Sequence, residues 1–348
     1  MDIADKYTQA YRELSQEVHD AGLIQRRYWL SWAMIVGWTL TLAALIVLVF
    51  ILGVTWFQLL MAAGIGAVMA QLGLLAHDAA HRQLFASRRW NEWTARIIAC
   101  LLVGISYGWW MNKHNSHHGY PNQVGKDPDI DSRVLAFTPE ATDRRTGLRA
   151  KLAKRQGWFF IPLLFLEGLN LQAQSLKMLL TKPKVPYRVT ETLLILVRHT
   201  AYFVLIFTIL PLGMAFTSFG LQVGFFGLLL GGAFALNHIG RPTVAADMRI
   251  DFLHRQVVMS RNIKDGPFVR FFMGGLQYQI EHHLFPIAPR ASLPAVQSIV
   301  RKYCSRYDIP YEERHVAEAS RTVLAYLNQV GLKHRDAFTC PLVQRYRI

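Results

Sequence analysis

Apolar residues in this sequence fall into long blocks separated by polar, charged segments. Residues 28–54 and 56–76 carry no charged side chain and are separated by a single residue. Residues 199–218 and 219–239 form a second pair of charge-free blocks. Each block is long enough, at about 1.5 Å per helical residue, to cross a hydrocarbon layer of about 30 Å. The pattern predicts four transmembrane helices in two hairpins, with Pro211 tolerated inside a membrane helix.

A further apolar stretch, residues 158–180, differs because polar side chains interrupt it. These are Glu167, Asn170, Gln172, Gln174 and Lys177. We interpret the stretch as an amphipathic helix that lies at the membrane surface or covers the non-membrane domain. A fifth membrane span is the alternative.

Basic residues concentrate in the polar segments. Segments 1–27, 77–190 and 240–348 contain 4, 17 and 16 of the 38 Lys and Arg residues. Under the positive-inside rule, both termini and the middle segment are expected to face the cytoplasm. The prediction is one all-α integral membrane domain over residues 1–348, in which a cytoplasmic helical domain caps two membrane hairpins. We expect a multi-pass protein of a bacterial plasma membrane.

This topology also accounts for an unusual composition. The chain is 52% hydrophobic and still carries a formal net charge of +15, with a mean hydropathy of +0.19. Such a composition excludes a disordered chain and a disulfide scaffold. Nucleic-acid binding would require a recognition fold, and no motif of that kind is visible.

Histidines form three clusters at or beyond the predicted cytoplasmic ends of the spans. The clusters are His77 with His81, His114 with His117 and His118, and His282 with His283, and His238 stands alone at the end of the fourth block. Residues three or four apart on a helix share a face, so imidazoles of one cluster can reach one metal ion. Each cluster alone is more often ordinary surface or core histidine.

Together the eight histidines exceed what one zinc ion needs, because zinc takes four ligands. They suit two metal ions that keep open positions for other ligands. Imidazole binds iron, copper, nickel and zinc, and the membrane setting favours iron and oxygen chemistry over hydrolysis.

The order and spacing HxxxH, HxxHH and QxxHH, with charge-free hairpins between, resembles the membrane fatty acid desaturase family. The surrounding residues agree: HDAAHRQLF at 77–85, NKHNSHHGYPNQVGKDPDID at 112–131 and FFMGGLQYQIEHHLFPIAPR at 271–290. The form QIEHH resembles the front-end acyl desaturase branch. The resemblance covers roughly residues 30–310.

This resemblance implies a non-haem diiron site. It assigns as iron ligands His77, His81, His114, His117, His118, His282 and His283, with His238 matching a further histidine that the family has before the third box. Gln279 occupies the place of a histidine in related branches, where its amide oxygen could coordinate or bind a water. Residues expected to orient the rings and balance the metal charge are Asp78, Asn237, Glu281, Asp127 and Asp129. For the last two, a solvated acid or a helix cap is the alternative.

The implied activity is the O2-dependent introduction of a cis double bond into a lipid acyl chain. Two electrons must come from a donor. Because only 27 residues precede the first predicted span, too few for a fused haem domain, we expect a separate donor such as ferredoxin with its reductase. The basic cytoplasmic face would steer an acidic carrier toward the site.

Two other functions remain open from the sequence. A diiron lipid hydroxylase or oxygenase could use the same scaffold, since the outcome depends on how the substrate is placed. A non-catalytic metal-binding membrane protein or transporter is more remote, because transport needs ionisable residues inside the spans and the charge-free blocks have almost none.

Overall fold

The computed structural model of the protein describes residues 3–132, 134–182 and 185–332. In chain order, its α-helices are α1 (Ile3–Asp20), α2 (Tyr28–Leu52), α3 (Phe57–Ala80), α4 (Arg88–Ile97), α5 (Tyr107–Gly119), α6 (Pro139–Asp143), α7 (Gly147–Ala153), α8 (Gln156–Thr181), α9 (Arg188–Ile209), α10 (Leu212–His238), α11 (Phe252–Val258), α12 (Pro267–Met273), α13 (Gln279–Leu284), α14 (Leu293–Arg306) and α15 (Val316–Gly331). A π-helix covers Ile98–Val103, and a 3-10 turn covers Leu276–Tyr278. Two short strands, β1 (Asn262–Ile263) and β2 (Glu313–Arg314), pair in parallel. The predicted all-α class is confirmed.

The described residues divide into two compact units. The first, here called the span unit, comprises Arg26–Asn112 and Pro162–Gly232. The second, here called the box unit, comprises the described residues of Met1–Gln25, Lys113–Ile161 and Ala233–Ile348. The end of the predicted cytoplasmic segment 240–348, residues 333–348, lies outside the described residues.

Among the described residues, four helices are long and apolar enough to cross a membrane, namely α2, α3, α9 and α10. This confirms the predicted number of spans and fits an all-α membrane protein. Helices α2 and α3 follow the first two apolar blocks, although α3 continues to Ala80. At their tip, the Gln58 amide donates hydrogen bonds to the carbonyls of Val49, at 2.8 Å, and Gly53, at 2.7 Å. These bonds satisfy carbonyl groups that the end of α2 leaves without a helical partner.

The second pair of spanning helices differs from the predicted blocks 199–218 and 219–239. The break between α9 and α10 falls at Leu210 and Pro211. Proline has no N–H and disfavours helical geometry in the residue before it, and Leu210 is extended, with φ −109° and ψ 143°. The expectation that Pro211 would lie inside a membrane helix is therefore wrong.

Helix α9 also begins well before the predicted block, because its charged residues face inward. Its buried residues are Glu191, Ile195, Arg198 and Ile206, three to eight positions apart along one face. The charges that interrupt the apolar pattern therefore lie on the packed face of the helix. Sequence hydropathy alone treats such charges as the end of a span.

Glu191 is fully buried in the span unit and accepts several hydrogen bonds. The Arg96 guanidinium donates to its carboxylate at 3.1 Å, and the hydroxyl of Ser106 and the backbone N–H of Gly108 donate to it as well. The guanidinium carbon also lies 4.2 Å from the centre of the Tyr187 ring. Since Gly108 is in the first turn of α5, Glu191 caps the start of the helix that carries the second histidine box.

The π-helix and α5 meet at a sharp bend. Gly104, with φ 89°, ends the π-helix, and the segment Arg88–Val103 is inclined by 115° to Tyr107–Gly119. By length and composition this bent pair also qualifies as a broken span or a re-entrant loop. The sequence did not predict it, because several arginines precede the apolar part.

The interrupted stretch 158–180 forms a single helix, α8, which is not among the four candidate spans of the described residues. Within the span unit, α8 exposes Leu166 and Leu169 and buries Gln172 and Ser175. The Ser175 hydroxyl accepts a hydrogen bond from the backbone N–H of Ser106 at 2.7 Å. The exposed positions of α8 also include Asn170, Gln174 and Lys177, so its outward side carries both apolar and polar residues. Its place at the membrane surface stays a prediction.

In the box unit, α1, α11, α13 and α14 pack around one apolar core that includes Leu14, Val257, Ile280 and Val296. The Tyr11 hydroxyl of α1 donates a hydrogen bond to the carbonyl at the end of α13, at 3.1 Å. The short helix α13 carries the third histidine box, so this core fixes the position of the box.

The buried Glu191 provides a stability test. Removing one partner of a buried ion pair costs about 3–5 kcal/mol, because the remaining charge is left uncompensated. We expect Glu191→Ala to lower the free energy of unfolding by about that amount, measured by thermal denaturation of the purified protein in detergent. The control is Glu92→Gln, which removes a carboxylate paired with the exposed Arg88 and should change stability by at most about 1 kcal/mol. Equal effects of the two substitutions would contradict the capping role of Glu191.

Candidate metal centre

The first box lies at the end of α3 in the span unit. The ring centroids of His77 and His81 are 4.7 Å apart, and their nearest ligand nitrogens lie within 4.8 Å of each other. Burial and the neighbouring His77 lower the pKa of His81 well below its usual range. His81 is therefore neutral at physiological pH, which is the form that binds a metal. Asp78 lies beside this box, with a carboxylate oxygen 3.7 Å from Nδ1 of His77.

The second and third boxes meet in the box unit. Helix α5 carries His114 and His118, and α13 carries His282. Nε2 of His118 and Nε2 of His282 are 3.1 Å apart, and the nearest ligand nitrogens of all three residues lie within 4.8 Å of one another. These three residues are called cluster one.

The remaining box histidines converge separately with His238, the last residue of α10. His117, His238 and His283 are all buried, with their nearest ligand nitrogens within 4.8 Å of one another. Nε2 of His117 is 3.3 Å from Nε2 of His238. These three residues are called cluster two. The structure thus brings together, in two clusters, the six predicted histidine ligands that lie in the box unit, including His238, which sequence position alone supported weakly.

In each cluster, the distance between two ring nitrogens is the distance expected when both nitrogens bind the same metal ion. Two imidazole nitrogens, each about 2.1 Å from one ion and separated by about 90–109°, lie about 3.0–3.4 Å apart. The Nε2 pairs at 3.1 and 3.3 Å fall within this range. The donor set therefore fits metal ions bound through imidazole. A metal shared between the first box and the other two stays a prediction from the sequence.

In cluster two, the second ring nitrogen of each histidine faces an acceptor. Nδ1 of His238 is 3.1 Å from the carbonyl oxygen of Met259, and Nδ1 of His283 is 2.9 Å from the amide oxygen of Gln256. Nδ1 of His117 lies between the two carboxylate oxygens of Asp127, at 3.0 and 3.1 Å. An acceptor at Nδ1 places the proton on Nδ1, which leaves the Nε2 lone pair for a metal.

Asp127 and Asp129 lie where the sequence placed them, beside the second box. Asp127 also accepts hydrogen bonds from the backbone N–H groups of Asn122, at 2.7 Å, and Asp129, at 2.9 Å. One carboxylate oxygen of Asp129 is 3.3 Å from Nδ1 of His117, and the other is 2.7 Å from the Lys113 ammonium. Burial would raise the pKa of Asp129, but Lys113 and His117 hold it below its usual range. Both aspartates are therefore available to balance positive charge at cluster two.

Gln279 and Asn237 lie beside His238. The Gln279 amide nitrogen is 3.0 Å from Nε2 of His238, and its oxygen accepts a hydrogen bond from the Asn237 amide at 2.9 Å. The structure therefore places the amide nitrogen of Gln279, and not its oxygen, toward the cluster. The ligand role of Gln279 stays a prediction.

Glu281 is fully buried, but its contacts differ from those expected of a residue that orients the rings. Its carboxylate accepts hydrogen bonds from the Asn262 amide, at 2.6 Å, and the Tyr311 hydroxyl, at 2.8 Å. Burial raises the pKa of Glu281 to about 7. These hydrogen bonds join α13 to β1 and to the segment before β2. Glu281 therefore holds the third box in place by fixing the position of α13.

Sequence reasoning missed Gln256, the Met259 carbonyl and the Asn262–Tyr311 pair. These groups become neighbours of the boxes only through folding, and no motif spacing in the sequence points to them. A further histidine, His254 on α11, pairs with Asp251 at 2.8 Å and belongs to neither cluster.

Gln256 provides a test of the ring orientation. It is fully buried, and its amide also donates to the carbonyl of His118 at 2.9 Å. Loss of such a partner typically lowers metal affinity about 10–100-fold. We expect Gln256→Leu to weaken binding of Fe²⁺ by about that factor, measured by competition with a chelator. Gln9→Leu, at an exposed position of α1, should leave affinity unchanged. Unaltered affinity in Gln256→Leu would contradict the assigned role.

Comparison with known proteins agrees with this geometry. The fatty acid desaturase family model matches residues 54–315. The Delta(8)-fatty-acid desaturase of Helianthus annuus is 29% identical, over 94% of this chain and 74% of that protein. The acyl-lipid (9-3)-desaturase of Borago officinalis is 30% identical, over 95% of this chain and 77% of that protein. The Delta(6)-fatty-acid desaturase fat-3 of Caenorhabditis elegans is 29% identical, over 88% of this chain and 71% of that protein.

The match includes all three boxes and extends over most of the chain. It confirms the resemblance found in the sequence: the chain belongs to the fatty acid desaturase family.

Proposed function

We propose that this desaturase introduces a cis double bond into a lipid acyl chain at a non-haem diiron centre, with O2 as co-substrate. The observation that carries the proposal is the separate convergence of two imidazole clusters in the box unit. One cluster would hold one iron ion and the other would hold a second. The first box, His77 and His81, is proposed to supply further ligands, as the family resemblance implies.

Bound iron would supply the activation of O2, with two electrons from a donor, that removal of two hydrogens from an unactivated alkyl chain requires. The protein itself holds and orients the ligands. The Met259 carbonyl and the Gln256 amide keep the Nδ1 protons of His238 and His283 in place. Neutral imidazoles leave the metal charge uncompensated, and we assign its partial balance to Asp127 and Asp129.

We further propose that the double bond forms between an existing double bond and the carboxyl end of the chain. The third box, QIEHH, supports this placement, as do the names of the relatives, which include Delta(8), Delta(6) and acyl-lipid (9-3) desaturases. The acyl-lipid name favours an acyl chain carried on a lipid.

Electrons are proposed to come from a separate acidic carrier such as ferredoxin, at a cytoplasmic face. The net charge of +15 and the concentration of Lys and Arg outside the spans support this docking and this orientation. The relatives named above come from plants and a nematode, so a bacterial membrane stays a prediction from the sequence alone.

The direct test of the function is expression in a host that lacks front-end desaturation, followed by gas chromatography and mass spectrometry of its fatty acids. We expect a product that has lost two hydrogens, with the new bond on the carboxyl side of an existing one. A product that has gained an oxygen atom would instead identify a hydroxylase. A fatty acid profile unchanged by a protein that is present in the membrane and loaded with iron would contradict the proposal.

Two histidine variants test the ligand assignment. His114→Ala and His282→Ala each remove a proposed ligand of cluster one, so we expect loss of activity and of about one of the two iron ions while membrane insertion is retained. The control is His19→Ala, which changes an exposed histidine of α1 and should preserve both. Near-normal turnover in either box variant would show that the assignment is wrong.

A further inference from the structure

The span unit contains a buried cation that the metal centre does not use. Arg198 lies midway along α9, on its packed face, and only 8% of its surface is exposed. A charged side chain inside a membrane bundle is costly, and such residues commonly mark a binding site.

The contacts of Arg198 leave most of its charge uncompensated. Nη2 lies 3.2 Å from the sulfur of Met69, and the guanidinium carbon lies 5.3 Å from the centre of the Tyr202 ring. A thioether sulfur is only a weak acceptor. Nη1 is buried and has no hydrogen-bond partner among the described residues, and none of the ion pairs between those residues includes Arg198.

The other acid on this face of α9 does not neutralise Arg198. Glu191 lies seven positions earlier in the helix, or about 10 Å along its axis, and it is already paired with Arg96. These three buried side chains therefore leave one positive charge in excess.

Polar side chains of α10 lie near the same place. The Gln222 amide nitrogen is 2.8 Å from the sulfur of Met69, the atom that Arg198 also contacts. The Gln222 oxygen and the hydroxyl of Ser218, one turn earlier on α10, are both buried without a hydrogen-bond partner among the described residues. The Arg198 guanidinium and the Gln222 amide N–H group thus share one sulfur, which is too weak an acceptor for both, and the Ser218 hydroxyl lies one helical turn from Gln222 on α10.

The donors here are the Arg198 guanidinium, the Gln222 amide N–H group and the Ser218 hydroxyl, and such donors suit an oxyanion; the Gln222 oxygen is an acceptor and takes no part. Carboxylate and phosphate oxygens accept several hydrogen bonds at once, and the planar guanidinium matches their geometry. Because α9 is a candidate membrane span, an anion that reaches this point would arrive on an apolar chain.

We propose that Arg198, with Gln222 and Ser218, binds the oxyanion of a membrane lipid, either a fatty acid carboxylate or a phospholipid phosphate. Met69 lies eight residues before His77 on α3, about 12 Å along the helix axis, so this site is separate from the first box. The proposal does not depend on the desaturase reaction.

The test uses the full-length protein, stripped of lipid in an uncharged detergent, with binding measured by native mass spectrometry. The probes are two matched pairs: oleate with methyl oleate, and dioleoyl phosphatidylglycerol with dioleoylglycerol. Charge-assisted hydrogen bonds in a dry site are strong, so the anionic member of one pair should bind at least about tenfold more tightly than its uncharged partner. The pair that shows the preference identifies the lipid class. No preference in either pair would overturn the proposal.

Variants test whether Arg198 causes the preference for the anionic lipid. We expect Arg198→Gln to abolish it, Arg198→Lys to keep part of it, and Lys177→Gln, at an exposed position of α8, to leave it unchanged. The lipid-free Arg198→Gln protein should melt at the same temperature as the wild type or higher, because an uncompensated charge has been removed. A full preference retained in Arg198→Gln would contradict the site. Should that variant not fold, Gln222→Met tests the same site, since it removes one donor and must weaken the preference.

Discussion

The structure depends above all on holding imidazole rings so that their Nε2 atoms converge. The facing Nε2 atoms lie 3.1 Å apart in cluster one and 3.3 Å apart in cluster two. In cluster two the opposite edge of each ring is fixed by a protein acceptor: the Met259 carbonyl, the Gln256 amide or the Asp127 carboxylate. Gln256 lies on α11, Met259 directly follows α11, and Asp127 lies in the loop after α5. The packing of the box unit therefore sets the orientation of the rings.

In the span unit, the two buried charged residues of α9, Glu191 and Arg198, have different surroundings. Glu191 accepts hydrogen bonds from Arg96, from Ser106 and from the first turn of α5, so its charge is compensated and its position is structural. Arg198 lies on the same face of α9 with a sulfur and an aromatic ring as its contacts. Glu191 has hydrogen-bond partners that compensate its charge, and we therefore regard it as a structural residue. Arg198 lacks such partners, and we therefore regard it as part of a candidate ligand site.

Much of this was predictable, because it follows from periodicity and local spacing. Charge-free length predicted four spans, and the second and third boxes with His238 predicted which histidines meet in clusters one and two. The bounds of α9 were not predictable from hydropathy, since the burial of Glu191 and Arg198 depends on partners elsewhere in the chain. Pro211 is the sequence signal for the break between α9 and α10, because its missing N–H interrupts the helical hydrogen bonds even within an apolar run. Gln256 and Tyr311 touch the third box only through long-range packing, which no motif spacing encodes.

The most direct test of the account is the metal content of the purified protein, measured by inductively coupled plasma mass spectrometry alongside protein quantification. Two separate imidazole clusters predict two iron ions per chain, with about one of them lost when a residue of only one cluster, such as His238, is replaced by alanine. Retained zinc without iron, or a single metal ion per chain that is unaffected by the replacement, would contradict the diiron assignment.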